Sequence, residues 1–483
     1  MNVKFKNWWD KASPEEAKNH QSKLLQKLIT TRVAPFSKYY REMFEREGID
    51  PGSIKTTDDL ERIPFTSKRH LEETKDFVIL PDEAVLKKQP GTLLKVLRHG
   101  PRGVKAVLQD ELRPVFMTST TGRSSAPVPF LYTKQDIAIL EESGRRLMDM
   151  CKASPDFKII NAFPFAPHLA FWQAHYAGTA DTKFMLSTGG GKVMGTSGNV
   201  EVITKIQPDA VIAMPTFLYH LLQKAAEDNQ QWPNLKRLVL GGEKVPEGMR
   251  RKLRAFCAEL GAQKVDILST YAFTEAKMAW AECPASEGQE SAGFHLYPDL
   301  SFVEIVDPDT GERVPDGQPG EIVYTPLQSR GSIVMRYRTG DLIEGGIVRE
   351  PCPLCGRTCP RLVGKISRVS DIHRLSIGKL KGTLVDFNQL ENLLDDTEGL
   401  GAWQLELKKH NDDPHDLDEI VIHAVALNCD EPTLAENIRR KFKNATELSP
   451  NDIIFHDWET MRKMQGVGKE LKEKKVIDNR PKS

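Results

Sequence analysis

Between residue 116 and about residue 280, short apolar runs alternate with stretches of helical periodicity. KIINAFPF, DAVIAMP, LKRLVLGGE and KVDILSTY are four of the runs; FLYHLLQKAAED and EGMRRKLRAFCAELG are two of the helical stretches. Strand, helix, strand, helix in this rhythm predicts an α/β sheet with helices packed on its faces. Ahead of it, SPEEAKNHQSKLLQKLITTRVA and SKYYREMFEREGI place apolar residues at helical spacing, the first after a Ser-Pro start and the second before Gly48. Residues 75–113, basic around LLKVLRHGPRGVK, read as an irregular solvated loop or lid. Residues 300–345 change character: FVEIVDPDTGERV and GEIVYTPL are β-rich and are joined by Gly-containing turns. The last stretch runs helix (DFNQLENLLDD), strand (WQLELKKH), strand (DEIVIHAVAL), helix (TLAENIRRKF), strand (DIIFHDW), an open-faced α+β module.

A chain of 483 residues is too long for one ordinary core. The fold class expected is α/β: a large N-terminal domain, residues 1–366, of α/β subdomains plus a β-rich subdomain, followed by a small mobile α+β domain, residues 367–483. Apolar residues at 39% and charged residues at 28% fit a globular chain rather than a disordered one. Lys+Arg and Asp+Glu both number 67, so no net field draws the chain to nucleic acid or an acidic membrane. No run approaches the ~20 apolar residues that span a bilayer, and the start lacks a signal-peptide core. The expectation is a soluble cytoplasmic protein with neither nucleic acid nor membrane as partner.

Five spaced segments carry candidate chemistry. FMTSTTGRSSAPVPF (116–130) gathers Thr118, Ser119, Thr120, Thr121 and Gly122, the hydroxyls, amides and flexible glycine that hold phosphate oxygens, though without the Walker pattern. LVLGGEKVPEGM puts Gly241, Gly242 and Glu243 directly after a strand, where backbone can approach a flat ligand. ILSTYAFTEA offers Tyr271 for stacking on a base, and Thr274 and Glu275 for phosphate and Mg²⁺. MRYRTGDLI supplies Asp341, able to accept two ribose hydroxyls, beside Arg336 and Arg338. QGVGKELKEKKVIDNRP presents a lysine after a glycine-flanked turn.

In this order and at these spacings the set resembles the adenylate-forming superfamily of acyl-CoA synthetases and adenylation domains, and within it the phenylacetate-CoA ligase branch. YYREMFEREGIDPGSIKTTDDLERIPFTSK, the segment from LSTGGG to TKIQPDAVIAMPTFLYHLL, and KKVIDNRP extend the likeness over almost the whole chain. The resemblance implies that the 118–122 loop holds the β- and γ-phosphates of ATP. It implies that Gly241, Gly242 and Glu243 line the adenine, that Tyr271 stacks on it, and that Asp341 binds ribose. Thr274 and Glu275 would face the α-phosphate and Mg²⁺. Lys469 would be the mobile catalytic lysine, with Lys472 competing because the spacing to VID is long. GKISRVSD (364–371) stands where the superfamily's hinge falls, with Arg368 and Asp371 as best equivalents. The implied reaction converts an aryl or other apolar carboxylic acid and ATP to an acyl adenylate, then a coenzyme A thioester, releasing pyrophosphate and AMP. An amine or protein thiol as acceptor stays open, as do a non-catalytic zinc-bearing binding protein and a homodimeric assembly. The loop itself departs from the superfamily form: Ser119 stands for a glycine, and Ser124, Ser125 and Ala126 separate Arg123 from Pro127.

Of the seven cysteines, Cys352 and Cys355 form a C-x-x-C, and Cys283 and His295 lie upstream. Three thiolates and one imidazole make a tetrahedral Zn²⁺ set. From spacing alone, free thiols in a reducing cell explain them equally well; the resemblance favours a structural zinc. Cys151, Cys257 and Cys429 read as ordinary buried or half-buried thiols. The 186–198 segment, LSTGGGKVMGTSG, reads as a turn beside the acyl pocket, and Phe163, Phe165, Phe171 and Trp172 as either core or pocket wall.

Overall fold

The computed structural model describes residues 8–80, 100, 104, 110–120, 127–180, 184–286, 288–368, 378–380, 383–385, 387–410, 418–446, 448–467 and 474–480. Helix α1 (Pro14–Leu28) starts where Ser13 and Glu16 close a capping box with Pro14 at the first position. Its buried stripe, Ala17, Gln21, Leu25 and Leu28, repeats every three to four residues, and Gln21 donates to the Ser301 carbonyl at 3.1 Å. After α2 (Lys38–Arg46), strands β1 (Phe116–Ser119) and β2 (Pro129–Tyr132) pair antiparallel. Helix α3 (Lys134–Met150) follows, capped by Thr133 with Asp136.

The alternating region folds as expected. Its strands are β3 (Lys158–Asn161), β4 (Phe184–Ser187), β5 (Ala210–Ala213), β6 (Arg237–Leu240), β7 (Asp266–Phe273) and β8 (Met278–Ala281). They form one sheet in the order β4-β3-β5-β6-β7-β8. All neighbours are parallel except β7 and β8. Parallel strands need crossovers, supplied by α4 (Leu169–Ala180), α5 (Gly191–Ile206), α6 (Pro215–Glu227) and α7 (Glu247–Glu259). Alternate side chains serve two cores: Val211, Ala213, Leu238 and Leu240 meet Leu218, Leu221 and Leu222 of α6, whereas Ile159, Ala210 and Ile212 meet Phe171, Ala174 and Ala177 of α4. Helices α3 and α4 approach so closely that a Cβ at Gly144 would lie 2.6 Å from the Ala177 Cα.

The 186–198 glycines make a turn only at Gly189 and Gly190, both at positive φ. The chain is helical from Gly191, bent at Gly195 (φ 66°). The glycine-rich composition hid a helix whose stability comes from packing rather than propensity.

The β-rich part is a four-stranded antiparallel sheet in the order β10 (Ser301–Val306), β11 (Gly320–Pro326), β12 (Tyr337–Ile343), β15 (Ile366–Arg368). A smaller one joins β9 (Phe294–His295), β13 (Ile347–Val348) and β14 (Arg361–Leu362). Residues 357–358 also close over the start of the chain: the Thr358 amide donates to the Asp10 carbonyl at 2.9 Å, and its hydroxyl to that of Ala12 at 2.8 Å. Beneath this, Arg146 lies over the rings of Trp9 and Tyr297 and makes a two-pronged ion pair with Asp299 at 2.6 and 2.7 Å. Of the 75–113 segment most lies outside the described residues; Glu111 in its described end bridges Arg32 and Arg330.

After a two-stranded hairpin, β16 (Gly378–Leu380) and β17 (Thr383–Val385), comes a four-stranded sheet in the order β20 (Asp452–Phe455), β19 (Asp418–Ala426), β18 (Leu400–Lys409), β21 (Val476–Asp478). Helices α8 (Phe387–Asp395) and α9 (Glu431–Thr446) cover it, through Leu390, Leu394, Leu434, Ile438 and Phe442. Helix α10 (Trp458–Gln465) sets Trp458 against Tyr219 and Arg462 against Gln223 at 2.8 Å. Among the described residues no helix is long and apolar enough to cross a membrane.

This unit seats on α7 through Gly248 and Lys252, one turn apart. The Gly248 amide donates to Asp396 at 3.1 Å, and a Cβ there would lie 2.2 Å from the Asp395 carbonyl oxygen. Gly248→Val therefore forces the two apart, at about 1–3 kcal/mol by analogy with overpacking. Faster proteolytic cutting near residues 395–401, with unchanged far-UV circular dichroism, is the expected result; wild-type cutting would show the contact to be incidental. Lys252 donates to the carbonyls of Leu400 and Gly401. Burial brings its ammonium down from 10.5 to about 8, opposed by Asp395 and Asp396 and assisted by Lys475 and Arg251. Undocked lysine holds its proton across that window and docked lysine releases it, so docking strengthens as pH rises from about 8 towards 10.5. Cutting near 395–401 should accordingly slow over that range, and a pH-independent rate would refute the linkage.

Candidate active site

The carboxyl ends of β5, β6 and β7 open into a cleft of about 1970 Å³, bounded across from them by β12 and β15. Ligands enter open parallel sheets at the carboxyl ends of their strands. Glycine at 241 is required by closeness: a Cβ would lie 2.4 Å from the Thr270 hydroxyl. Gly242 is required by conformation, with φ at +84°. Glu243 beside them accepts from the Thr216 hydroxyl and, at 3.2 Å, from its amide.

Strand β7 delivers Tyr271 and ends in a short turn, Thr274–Ala276, that Lys277 closes in the left-handed region (φ 57°). The Lys277 ammonium holds this corner by bonding Asp136 at 2.7 Å and the Arg330 carbonyl at 2.9 Å. Tyr271 is buried; its hydroxyl donates to Asp341 Oδ2 at 2.8 Å. Asp341 is also buried, and its Oδ1 pairs with the exposed Arg368 at 3.0 Å, which stands opposite it in the β12–β15 register. Glu275 accepts from the Tyr337 hydroxyl at 2.7 Å. Burial pushes the Glu275 carboxyl above its ordinary range, against the lowering effect of that hydroxyl. Burial, then the neighbouring carboxylates, drives both phenols well above theirs, so each is a proton donor at neutral pH.

The Ser/Thr loop is described as far as Thr120. Thr118 is fully buried with its hydroxyl bonded to that of Tyr132 at 3.0 Å. The Ser119 amide donates to the Pro167 carbonyl at 2.6 Å. Thr120 borders the cleft and accepts from the Val128 amide at 3.0 Å. Thr121 and Gly122, and both lysines Lys469 and Lys472, lie outside the described residues. Arg336 is buried over Phe65, bonding the carbonyls of Glu61 and Ile63, and so serves the fold. The aromatic group separates: Phe163 borders the cleft with Ala174, Ile212 and Val239, Phe171 is core, and Phe165 is 63% exposed.

Two cleft residues escaped sequence reasoning. Tyr337 sits inside MRYRTGD between two arginines, where the pattern itself does not distinguish it from its charged neighbours. His168 follows strand β3 in FAPHL, borders the cleft and binds the Ser119 carbonyl through Nδ1 at 3.0 Å. A histidine after a strand's carboxyl end was its available signal.

None of Cys283, His295, Cys352 and Cys355 lines the cleft; they place their ligand atoms within 4.8 Å of one another. Cys283 Sγ and Cys352 Sγ are 3.7 Å apart, and Cys355 Sγ is 3.3 Å from His295 Nε2. Zinc–sulfur bonds of about 2.3 Å in a tetrahedron space thiolates about 3.8 Å apart, so the donor set fits zinc in type and spacing. Three segments converge: the end of β8, strand β9, and a tight turn in which the Gly356 amide donates to the Cys352 carbonyl at 2.8 Å. Cys429 is exposed, unlike the half-buried thiol expected.

Residues 147–336 match the family model described as AMP-binding enzyme. The phenylacetate-coenzyme A ligase of Thermus thermophilus is 27% identical over 337 residues, covering 69% of this chain and 66% of its own length. That of Escherichia coli is 24% identical, covering 77% and 74%. The match to the first thus spans slightly under two thirds of that relative. Among solved structures, 2-hydroxyisobutyryl-CoA ligase in its postadenylation state shares the fold with a TM-score of 0.76 at 19% identity, over 99% of this chain and 94% of its own.

Proposed function

The chain is a phenylacetate-CoA ligase-like member of the adenylate-forming superfamily, and from that premise we propose that it activates an apolar or aryl carboxylic acid with ATP and transfers the acyl group to coenzyme A. The supporting observation is the meeting of Gly241–Glu243, Tyr271, Glu275 and Asp341 around one cleft whose inner wall, Phe163, Ala174, Ile212 and Val239, is apolar. The acid's oxygen forms a bond to the α-phosphorus as the bond to the bridging oxygen of pyrophosphate breaks. Coenzyme A thiolate then attacks the acyl carbon and AMP leaves. Both first reactants are anions, so the protein's part is positioning and charge neutralisation rather than a covalent nucleophile. Tyr271 offers a face to adenine, Asp341 accepts from ribose, and Thr120 begins the loop, continued by Thr121 and Gly122, that takes the outer phosphates. Glu275, with Thr274 beside it, would hold Mg²⁺, which supplies charge neutralisation. Lys469, on a C-terminal domain beginning near 366/367, supplies a cation to the adenylation step.

ATP–pyrophosphate exchange across a panel of carboxylic acids tests this reading. Exchange with an aryl or apolar acid, followed by CoA-dependent AMP release, is the expected result. No exchange with any acid overturns it, and exchange without CoA-dependent release transfers the second step to an amine or protein thiol.

The Cys/His group is assigned to structural zinc: four protein ligands fill the tetrahedron and leave no position for substrate. Metal analysis should find about one zinc per chain, and Cys283→Ser should lose it with a fall in Tm on the order of 5–10 °C. Full stability without metal would return these residues to free thiols.

A further inference from the structure

Two hydrogen bonds cross in a reciprocal pattern between one segment, made of β7 and the turn that ends it, and a second, β12. On the first segment a tyrosine, 271, precedes a carboxylate, 275, by four residues; on the second a tyrosine, 337, precedes a carboxylate, 341, by four. Each tyrosine donates to the other segment's carboxylate, Tyr271 to Asp341 at 2.8 Å and Tyr337 to Glu275 at 2.7 Å. The segments belong to different sheets, β7 to the parallel one and β12 to the antiparallel one. Strand pairing therefore fixes neither against the other, and these bonds join the sheets at the two carboxylates that face the cleft.

The geometry points to Tyr337 and Tyr271 as positioning residues with separable duties, an inference that rests on the ligase reading above. Tyr337 holds Glu275 by Oε1 and so sets the carboxylate offered to the metal–phosphate group. Tyr271 holds Asp341 by Oδ2 against the pull of Arg368 on Oδ1, and so sets the carboxylate offered to ribose. The pairing also aligns the two duties, because a shift of one sheet against the other breaks both bonds together. A neutral hydroxyl suits this work: it orients a carboxylate without cancelling the charge the ligand needs, as a lysine at either position would.

Calorimetric binding separates the roles without turnover. In Tyr337→Phe, ATP binding in the presence of Mg²⁺ should weaken about tenfold, the size expected for one bond to a charged group. AMP binding in EDTA should stay at the wild-type value. In Tyr271→Phe, which keeps the ring, AMP binding in EDTA should weaken by about as much as ATP binding with Mg²⁺. A cycle with Glu275→Gln removes ambiguity: the Tyr337→Phe effect should shrink when the carboxylate it orients is already gone. Equal weakening of both ligands by both variants, or additivity in the cycle, overturns the assignment in favour of a general packing role. If wild-type protein binds neither nucleotide, the ligase reading falls instead. Normal wild-type binding with no effect of either variant sinks the positioning roles alone.

Discussion

Glu275→Gln will lower acid-dependent ATP–pyrophosphate exchange by about two to three orders of magnitude, the loss typical of removing one preorganised electrostatic partner of a transition state. The amide is nearly isosteric and its oxygen still accepts from Tyr337, so geometry survives while the charge does not. Stability should move the other way or not at all. Burial already opposes ionisation of this carboxyl, and a neutral side chain relieves that cost. Lost exchange with an equal or higher Tm is thus the specific signature. Exchange within a few-fold of wild type would remove Glu275 from the reaction, and lost exchange with a lowered Tm would mean the turn had collapsed.

The second large effect concerns folding. Asp299→Ala leaves Arg146, buried between Trp9 and Tyr297, with Glu142 as its remaining carboxylate partner among the described residues. Removing one side of a buried ion pair costs up to about 3–5 kcal/mol, because the guanidinium keeps its desolvation and loses the two-pronged part of its counter-charge. At roughly 1–2 °C per kcal/mol for a domain larger than about 250 residues, Tm should fall by about 3–10 °C. Replacing both partners, Arg146→Met with Asp299→Leu, should cost less than the single change, since the buried guanidinium is gone and Glu142 keeps Arg145 as its counter-charge. A single variant within about 2 °C of wild type, against that expected fall, would show that water reaches the arginine.

Local regularities in the chain carried much of the architecture. Strands β3, β5, β6 and β7 were legible as short apolar runs, and α6 and α7 by the one apolar face each keeps. Gly241 and Gly242 were readable as backbone requirements, and their reasons proved distinct: a close Thr270 and a positive φ. The partners of the site side chains were not readable. Tyr271 meets Asp341 from 70 residues away, and spacing carries no information about which strands two sheets bring face to face. Tyr337 was hidden for the same reason, although its motif was in view. The helix from Gly191 was obscured by glycines whose conformational cost is met by tertiary contacts. The Cys283–His295–Cys352–Cys355 set was named from the sequence and meets in the fold; spacing alone left free thiols equally open, because the meeting depends on His295 pairing opposite Arg361 in β9 and β14.

The closure of residues 357–358 over residues 10–12 has a consequence for how the chain is made. The Ala12–Thr358 contact spans 346 residues, so at 5–20 residues per second a ribosome needs between about 17 and 70 s to supply its second half. Throughout that interval Asp10 and Ala12 lack Thr358, and for most of it Trp9 lacks Tyr297 and α1 lacks the Ser301 carbonyl on which Gln21 docks. Residues 9–12 are therefore among the later parts of the fold to gain their partners, although they are translated well ahead of them.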